Sequence, residues 1–531
     1  MLPCHRSPGL SFWRLGVGII GLALFTSGCT TLKEYVENGF KVGPNYQRPP
    51  APLEMNWIDA KNPRVRSAPA DYATWWRIFA DPILNDLIRI AYEQNVNLRV
   101  AGTRVLETRA QRAIAVGTLF PQSQTATGDY SHTQVSRNIA NAPPQRFFDN
   151  WATSFNVSWE IDFWGRFRRT IESANDAVEA SVDDYDNAMV SLIGDLATAY
   201  TQYRAIQWQI AYTNENIALQ KGSLQIATDR FKGGQTSEVG VVQATSLLEQ
   251  LESTIPVLEA GLRQSNNQIC VLLGMPPEEL AARLGPPPPP PIPPEIVVGV
   301  PADLIRRRPD LREAERLIAA QNAQIGVAEA NFYPAFFING TIGYQAQNLS
   351  QLFSTKSFTG SVGPAFQWEI LNYGRVLNNV RFQDFKTQEL VASYQQTVLA
   401  AAQEVENGII SYLTARQQTE YLAASVTAAK KAVQLVVAQY KGGLTDYTPV
   451  FVAEQFLAQQ QVLLAQAQAN IALGLISTYR ALGGGWEYRL SDEQKLAVNQ
   501  QTQSHQPARP KNELTPASPV PNTTSTAAMA N

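Results

Sequence analysis

Trp151-Ala152-Thr153-Ser154-Phe155-Asn156-Val157-Ser158-Trp159-Glu160-Ile161-Asp162-Phe163 is the stretch on which the fold turns. Its odd positions hold Trp151, Thr153, Phe155, Val157, Trp159, Ile161 and Phe163, and its even positions hold Ala152, Ser154, Asn156, Ser158, Glu160 and Asp162. A period of two sorts side chains onto one apolar and one polar face, as a β-strand does. The pattern recurs. Phe336, Ile338, Ile342 and Tyr344 alternate with Phe337, Asn339, Thr341 and Gln345. Phe358, Val362, Phe366, Trp368 and Ile370 alternate with Ser357, Thr359, Ser361, Gln367 and Glu369. A fainter fourth run, Gln122 to Thr133, sets Ala126 and Tyr130 against Thr125, Thr127 and Asp129. Each run reaches the roughly 9–11 residues that a tilted strand needs to cross a bilayer. Apolar-outside, polar-inside strands with aromatic ends point to a membrane barrel, the alternative being a half-buried sheet in a soluble domain. Four strands close no barrel, since the smallest use about eight. An open edge in lipid leaves backbone groups unpaired at several kcal/mol each. Further copies of the chain are therefore expected to complete the sheet.

The strands lie in a chain written twice. Trp159-Glu160 recurs as Trp368-Glu369, Gly165-Arg166 as Gly374-Arg375, Tyr203 as Tyr412, and Lys232-Gly233-Gly234 as Lys441-Gly442-Gly443, each 209 positions on. Upstream, Leu98 pairs with Leu311, Gln111 with Gln324 and Pro121 with Pro334, an offset of 213. The first copy thus carries 213 − 209 = 4 extra residues between Pro121 and Trp159, expected in a surface loop near Gln134 to Asp149. Each copy reads as an amphipathic helix (Pro82 to Gly117; Asp310 to Ala330), a strand pair, then two long helical stretches broken at the Lys-Gly-Gly turn. Ile171 to Phe231 lacks proline and would span about 90 Å as helix. Val239 to Leu273 would span about 50 Å, with Pro256 a candidate kink. Helical periodicity alone is equally consistent with a long soluble coiled coil. The alternating strands tell the two apart.

The N-terminus sets the compartment. His5, Arg6 and Arg14 precede the apolar run Leu15 to Phe25, followed by Thr26-Ser27-Gly28-Cys29. That order is a secretory signal peptide, and its apolar run is too short to span a bilayer. A cysteine directly after Ser27-Gly28 resembles the lipobox of bacterial lipoproteins, which implies cleavage before Cys29 and a covalent lipid on its thiol; no cofactor is expected beyond that lipid. In such lipoproteins an aspartate after the cysteine often signals inner-membrane retention; Thr30 stands there, favouring the outer membrane. No transmembrane helix is expected. A net charge of −3 supplies no basic stripe for nucleic acid. Three scattered histidines and three cysteines give no metal-ligand spacing and no disulfide framework. No nucleophile–base pair stands out, so an enzyme is not expected, and Gly483-Gly484-Gly485 lacks the Lys-Ser/Thr of a phosphate loop.

These residues resemble the TolC-like outer-membrane efflux family, in its lipoprotein branch of drug-efflux channels. The resemblance runs from Val42 to about Tyr488 and rests on three pieces: Val42-Gly43-Pro44-Asn45-Tyr46, Trp76 with Phe79-Ala80-Asp81-Pro82, and Val300-Pro301-Ala302-Asp303-Leu304-Ile305-Arg306-Arg307-Arg308-Pro309-Asp310-Leu311. It implies an α+β membrane protein acting as a homotrimer. Three chains would supply a twelve-stranded barrel in outer-membrane lipid, continuous with a long periplasmic helical barrel. It also implies a periplasmic adaptor protein and an inner-membrane pump as partners. The Lys-Gly-Gly turns (Lys232, Gly233, Gly234; Lys441, Gly442, Gly443) look like the helix tips that meet the adaptor. Tyr440, Asp446, Glu238 and Glu454 become candidates for the periplasmic gate. Relatives place an aspartate two turns after the second tip, where this chain reads Val450-Phe451-Val452-Ala453-Glu454, so the acidic ring has moved or is missing. Glu238 and Asp446 could equally cap helix starts.

The expected organisation is a signal peptide (1–28), a lipidated extended segment (29–81), repeat 1 (82–285), a proline-rich linker (286–300), repeat 2 (301–486) and a disordered tail (487–531). Within the same architecture, a type I secretion or metal-export channel is an alternative to drug efflux. A structural periplasmic coiled-coil lipoprotein is the alternative of another class.

Overall fold

The computed structural model describes residues 31–67, 72–141, 143–286 and 295–490. The signal peptide, Cys29, the connector from Pro287 to Pro294 and the tail after Leu490 lie outside the described residues. The described residues up to Tyr488 form one compact unit. In chain order its main elements are α1 (Leu32–Glu37), β1 (Val65–Ser67), α2 (Pro82–Gln94), α3 (Val96–Gly117), β2 (Ser123–Gln134), β3 (Phe147–Ile161), α4 (Arg166–Lys232) and α5 (Val239–Leu272). Then follow β4 (Ile296–Val298), α6 (Pro309–Ala330), β5 (Ala335–Ala346), β6 (Phe358–Gln367), α7 (Arg375–Lys441) and α8 (Thr448–Ala481).

The duplication is carried into the geometry residue for residue. α4 and α7 each have 67 residues, α5 and α8 each have 34, and α3 and α6 each have 22. At 1.5 Å per residue the two longest helices reach about 100 Å. β2, β3, β5 and β6 form one antiparallel sheet in that order, so the strand pairs of both repeats join through β3 and β5. The register places Trp151, Phe155, Val157, Trp159 and Ile161 of β3 beside Tyr344, Ile342, Ile338 and Phe336 of β5 and, next to them, Phe358, Val362 and Phe366 of β6. This apolar face has nothing packed over it: Val362 is 80% exposed and Phe366 70%. The other face is a ladder of small polar groups. Thr127 Oγ1 and Ser154 Oγ are 2.9 Å apart, Thr341 donates to Asn156 (2.9 Å), and Ser158 donates to Asn339 (2.7 Å).

Where strand becomes helix, Asp162 accepts from the backbone N–H groups of Phe167 and Arg168, both at 3.0 Å, satisfying two free donors at the start of α4. The Val42-Gly43-Pro44-Asn45-Tyr46 segment threads past this junction. The fully buried Arg169 donates to the carbonyls of Val42 (3.0 Å) and Gly43 (2.7 Å) and to Asn45 (3.2 Å). Gly43 has φ +86°, and a Cβ there would sit 2.3 Å from Gly326 Cα, so only glycine fits. The other two sequence motifs also serve packing. Asp81 caps α2 at Ile83 (2.9 Å) and accepts from Tyr200 (2.6 Å). Arg307 pairs with Glu487 (2.8 Å), while Arg308 bridges Asp310 (2.7 Å) and Glu404 (2.7 Å). β1 and β4 pair in parallel, tying the extended N-terminal segment to the stretch between the repeats.

Several boundaries differ from the sequence expectation. The helix expected from Pro82 to Gly117 is two helices, because Asn95 turns extended (ψ 127°) and caps α3 by accepting from Leu98 N–H at 2.8 Å. β3 begins at Phe147 and ends at Ile161, which shortens the expected loop and leaves Phe163 beyond the strand; Trp368 and Ile370 likewise lie past β6. α5 runs on through Pro256. Residues 487–489, expected in the tail, instead belong to the fold: Trp486–Arg489 forms a 3-10 turn in which Trp486 and Glu487 are buried. α8 is long and apolar enough to cross a membrane by length and composition, yet 56% of its most apolar window is buried within the fold.

α7 and α8 cross at glycine. A Cβ on Gly474 would lie 2.8 Å from Tyr412 N, and one on Gly408 2.5 Å from Thr478 Oγ1. Gly474→Leu should therefore push the helices apart and destabilise by about 1–3 kcal/mol. Thermal unfolding followed by circular dichroism should show the midpoint falling; an unchanged midpoint would show that the crossing has slack.

Candidate functional site

The two helix tips are built alike. After Lys232, the N–H of Gly234 donates to Phe231 O (3.0 Å) and that of Gln235 to Arg230 O (2.9 Å). After Lys441, Gly443 donates to Tyr440 O (3.1 Å) and Leu444 to Gln439 O (3.0 Å). This paired closure needs a left-handed residue, supplied by Gly234 (φ +66°) and Gly443 (φ +77°), whereas Gly233 and Gly442 keep negative φ. Lys232 and Lys441 are the last helical residues and are exposed.

The four candidate gate residues separate into two groups. Glu238 and Asp446 are exposed at the tips. Asp446, one residue before the α8 N-cap Tyr447, accepts from the N–H of Thr448 (3.1 Å), the first helical residue, while Glu238 stands at the start of α5 without a capping bond. Tyr440 and Glu454 face inward. Tyr440 packs edge-on against Tyr447 (5.4 Å between ring centroids) with Ala227, Ala244 and Val450, and the Arg230 guanidinium lies 4.7 Å above its ring. This cluster joins both hairpins.

Glu454 is the unusual member. It is 4% exposed, and Ser223 of α4, 231 positions away, donates to it at 2.5 Å. Its Oε2 has no hydrogen-bond partner. Beside it, Gln220 of α4 donates to the Tyr447 hydroxyl (3.0 Å) and to Ala244 O of α5 (2.8 Å). Burial pushes the Glu454 carboxyl up to about 7, and the Ser223 hydrogen bond and the nearby Tyr447 hydroxyl pull weakly the other way. Burial also raises the Tyr447 phenol. Near neutrality the tip thus holds a carboxyl poised between neutral and charged in an apolar seam. Ser223, Gln220, Arg230 and Tyr447 carry no sequence signal, because their partners lie on a different hairpin. No group of His, Cys, Asp and Glu suited to a metal ion occurs among the described residues.

Comparison with known proteins gives one consistent result. A family model described as outer membrane efflux protein matches residues 87–275 and 300–484, one segment per repeat. Among curated proteins, the chain is 29% identical over 426 residues to the pyoverdine export outer membrane protein OpmQ of Pseudomonas putida, covering 78% of this chain and 88% of that one. It is 28% identical to nodulation protein T of Rhizobium leguminosarum bv. trifolii, over 87% of this chain and 98% of that one. Among solved structures, the outer-membrane channel OprN superposes with a TM-score of 0.78 at 31% identity, covering 84% of this chain and 99% of that chain.

A carboxyl held above its ordinary 4.5 keeps, in the packed tip, a proton that it releases once exposed. Packing stability at the tip should therefore fall as pH rises from about 4.5 to 7 and level off above. The full shift corresponds to about 3 kcal/mol. Hydrogen exchange of 220–244 and 436–454, corrected for intrinsic rates, should show that slope in the native chain and none in Glu454→Gln. Equal slopes would remove Glu454 as its source.

Proposed function

The chain belongs to the outer membrane efflux protein family, and from that premise we propose that three copies form one continuous conduit through the outer membrane and into the periplasm. Each copy contributes β2, β3, β5 and β6 to a twelve-stranded barrel and its helices to a periplasmic tunnel. The observation that carries this reading is the open four-stranded sheet: its apolar face is bare and its edge strands β2 and β6 lack outer neighbours. In lipid such edges must be paired, and the β6 edge of one copy against the β2 edge of the next closes the ring. A purely structural coiled-coil lipoprotein would have no use for this face.

The conduit is passive, and the family is one of channel and transport proteins. A periplasmic adaptor engages the tips at Lys232-Gly233-Gly234 and Lys441-Gly442-Gly443, and an inner-membrane pump supplies the energy. Glu238 and Asp446 line the closed aperture, while Tyr440 and Glu454 fasten the second hairpin to the first. Drugs and other small solutes are the cargo proposed here; one relative is named for pyoverdine export and another as a probable efflux pump component. Cys29 carries the lipid. Support comes from the chain that follows it: Thr31 caps α1 through Glu34, and Tyr35 donates to Phe163 O (2.7 Å) where the sheet ends.

Purified protein should run as a heat-modifiable trimer with pore activity, and Cys29→Ser should lose lipid labelling while keeping the trimer. A monomer released by removing the lipid would refute the shared barrel. In reconstituted trimers Asp446→Ala and Glu238→Ala should each raise the basal conductance; unchanged conductance would take these residues out of the gate.

A further inference from the structure

The polar face of the sheet holds one uncompensated charge. Strand by strand, its residues are uncharged except at Asp129 and Glu160: hydroxyls, amides and small side chains, with Phe148 and Phe337 at the two ends. Glu160 is neutralised, because Arg166 donates to its Oε2 at 2.5 Å. The other strand carboxylate, Asp149, lies on the opposite face, where His132 (2.7 Å) and the Tyr130 hydroxyl (3.0 Å) contact it. Asp129 is exposed, its partner across the ladder is Ala152, and beyond Ala152 comes Gln345. Among the described residues, no cation pairs with Asp129. It stands six residues from Ser123 and five from Gln134, midway along β2.

We propose that Asp129 is the charge-selecting residue of the barrel, favouring cations and cationic solutes over anions in the last stretch of the path. The proposal rests on the trimeric barrel proposed above, in which the polar face is the lumen and three copies of Asp129 stand at one level. A mid-strand charge acts where the pore wall is backed by lipid, and low-dielectric walls focus its field along the water column. The basic residues Arg137, Arg146 and Lys356 belong to the loops between strands, at the open mouth. There bulk electrolyte screens them within about 8 Å at physiological salt. The other described strand residues on this face are uncharged, apart from Glu160 with its Arg166 partner, so none offsets the ring.

The test is the reversal potential of full-length trimers in planar bilayers under a potassium chloride gradient. The native protein should prefer potassium, Asp129→Asn should lower the potassium-to-chloride permeability ratio several-fold toward one, and Asp129→Glu should retain the native ratio. Asp129→Cys treated with a cationic thiosulfonate should turn the pore toward chloride, and an anionic one should restore the cation preference. Pores whose ratio is the same in native and Asp129→Asn protein would overturn the assignment and leave the barrel standing. A native protein that forms trimers nowhere and pores nowhere would overturn the barrel and, with it, this inference.

Discussion

Backbone hydrogen bonding at the two edges of one sheet is the constraint on which the rest of the structure depends. β2 and β6 each present a row of N–H and C=O groups with no strand neighbour among the described residues, flanking a face that exposes Ile342, Val362 and Phe366. In water that combination invites aggregation; in lipid it is forbidden unless the edges meet other edges. Closure by identical copies resolves both problems, and it makes the duplication useful. Because α4 and α7 have equal lengths, as do α5 and α8, the two hairpins of every copy end at equivalent tips. A ring of three such chains, as proposed, would have six matched hairpins.

The tips join two physically different kinds of group. Glu238 and Asp446 are exposed to solvent, where in the proposed trimer they would face their symmetry copies. Glu454 and Tyr440 sit in the seam between hairpins, where an unpartnered polar atom penalises the packed state. In the proposed closed state that seam would carry one carboxyl oxygen without a hydrogen-bond partner, and a partner would release it by repacking the seam rather than by unfolding.

Much of this was legible in the sequence, for identifiable reasons. Period-two alternation survived into β3, β5 and β6 because each strand keeps one face bare and one face wet, so nothing overrides the pattern. The repeat offset of 209 held because α4 equals α7 in length and α5 equals α8. What failed to show were single-residue decisions. Asn95 breaks a helix that the periodicity carries straight through, since its side chain gives Leu98 N–H a partner that the backbone alone does not. Of the four candidate gate residues, sequence position alone could not separate the two that face solvent from the two that are buried. That distinction arises from contacts such as Ser223 with Glu454, formed across 231 residues. The motifs that marked the family proved to be packing devices: Gly43 for its close approach to Gly326, Asp81 as a cap, Arg307 and Arg308 as clamps.

The same accounting bears on why cargo identity is so faintly written. A site that recognises a ligand must keep donors and acceptors free to meet it. On the polar face of the sheet many of them are spent on one another, Thr127 with Ser154, Thr341 with Asn156, Ser158 with Asn339, Gln345 with Asn150. A wall of mutually satisfied neutral groups offers a passing solute little to bind, and tight binding would in any case trap it in a channel that has no energy source of its own. Discrimination in such a pore therefore falls to long-range forces, which act without contact, and to whatever loads the tunnel from below. Under the proposed barrel and gate, that leaves the chain two places at which it would still choose: the charge of Asp129 in mid-barrel, and the seam at the tips.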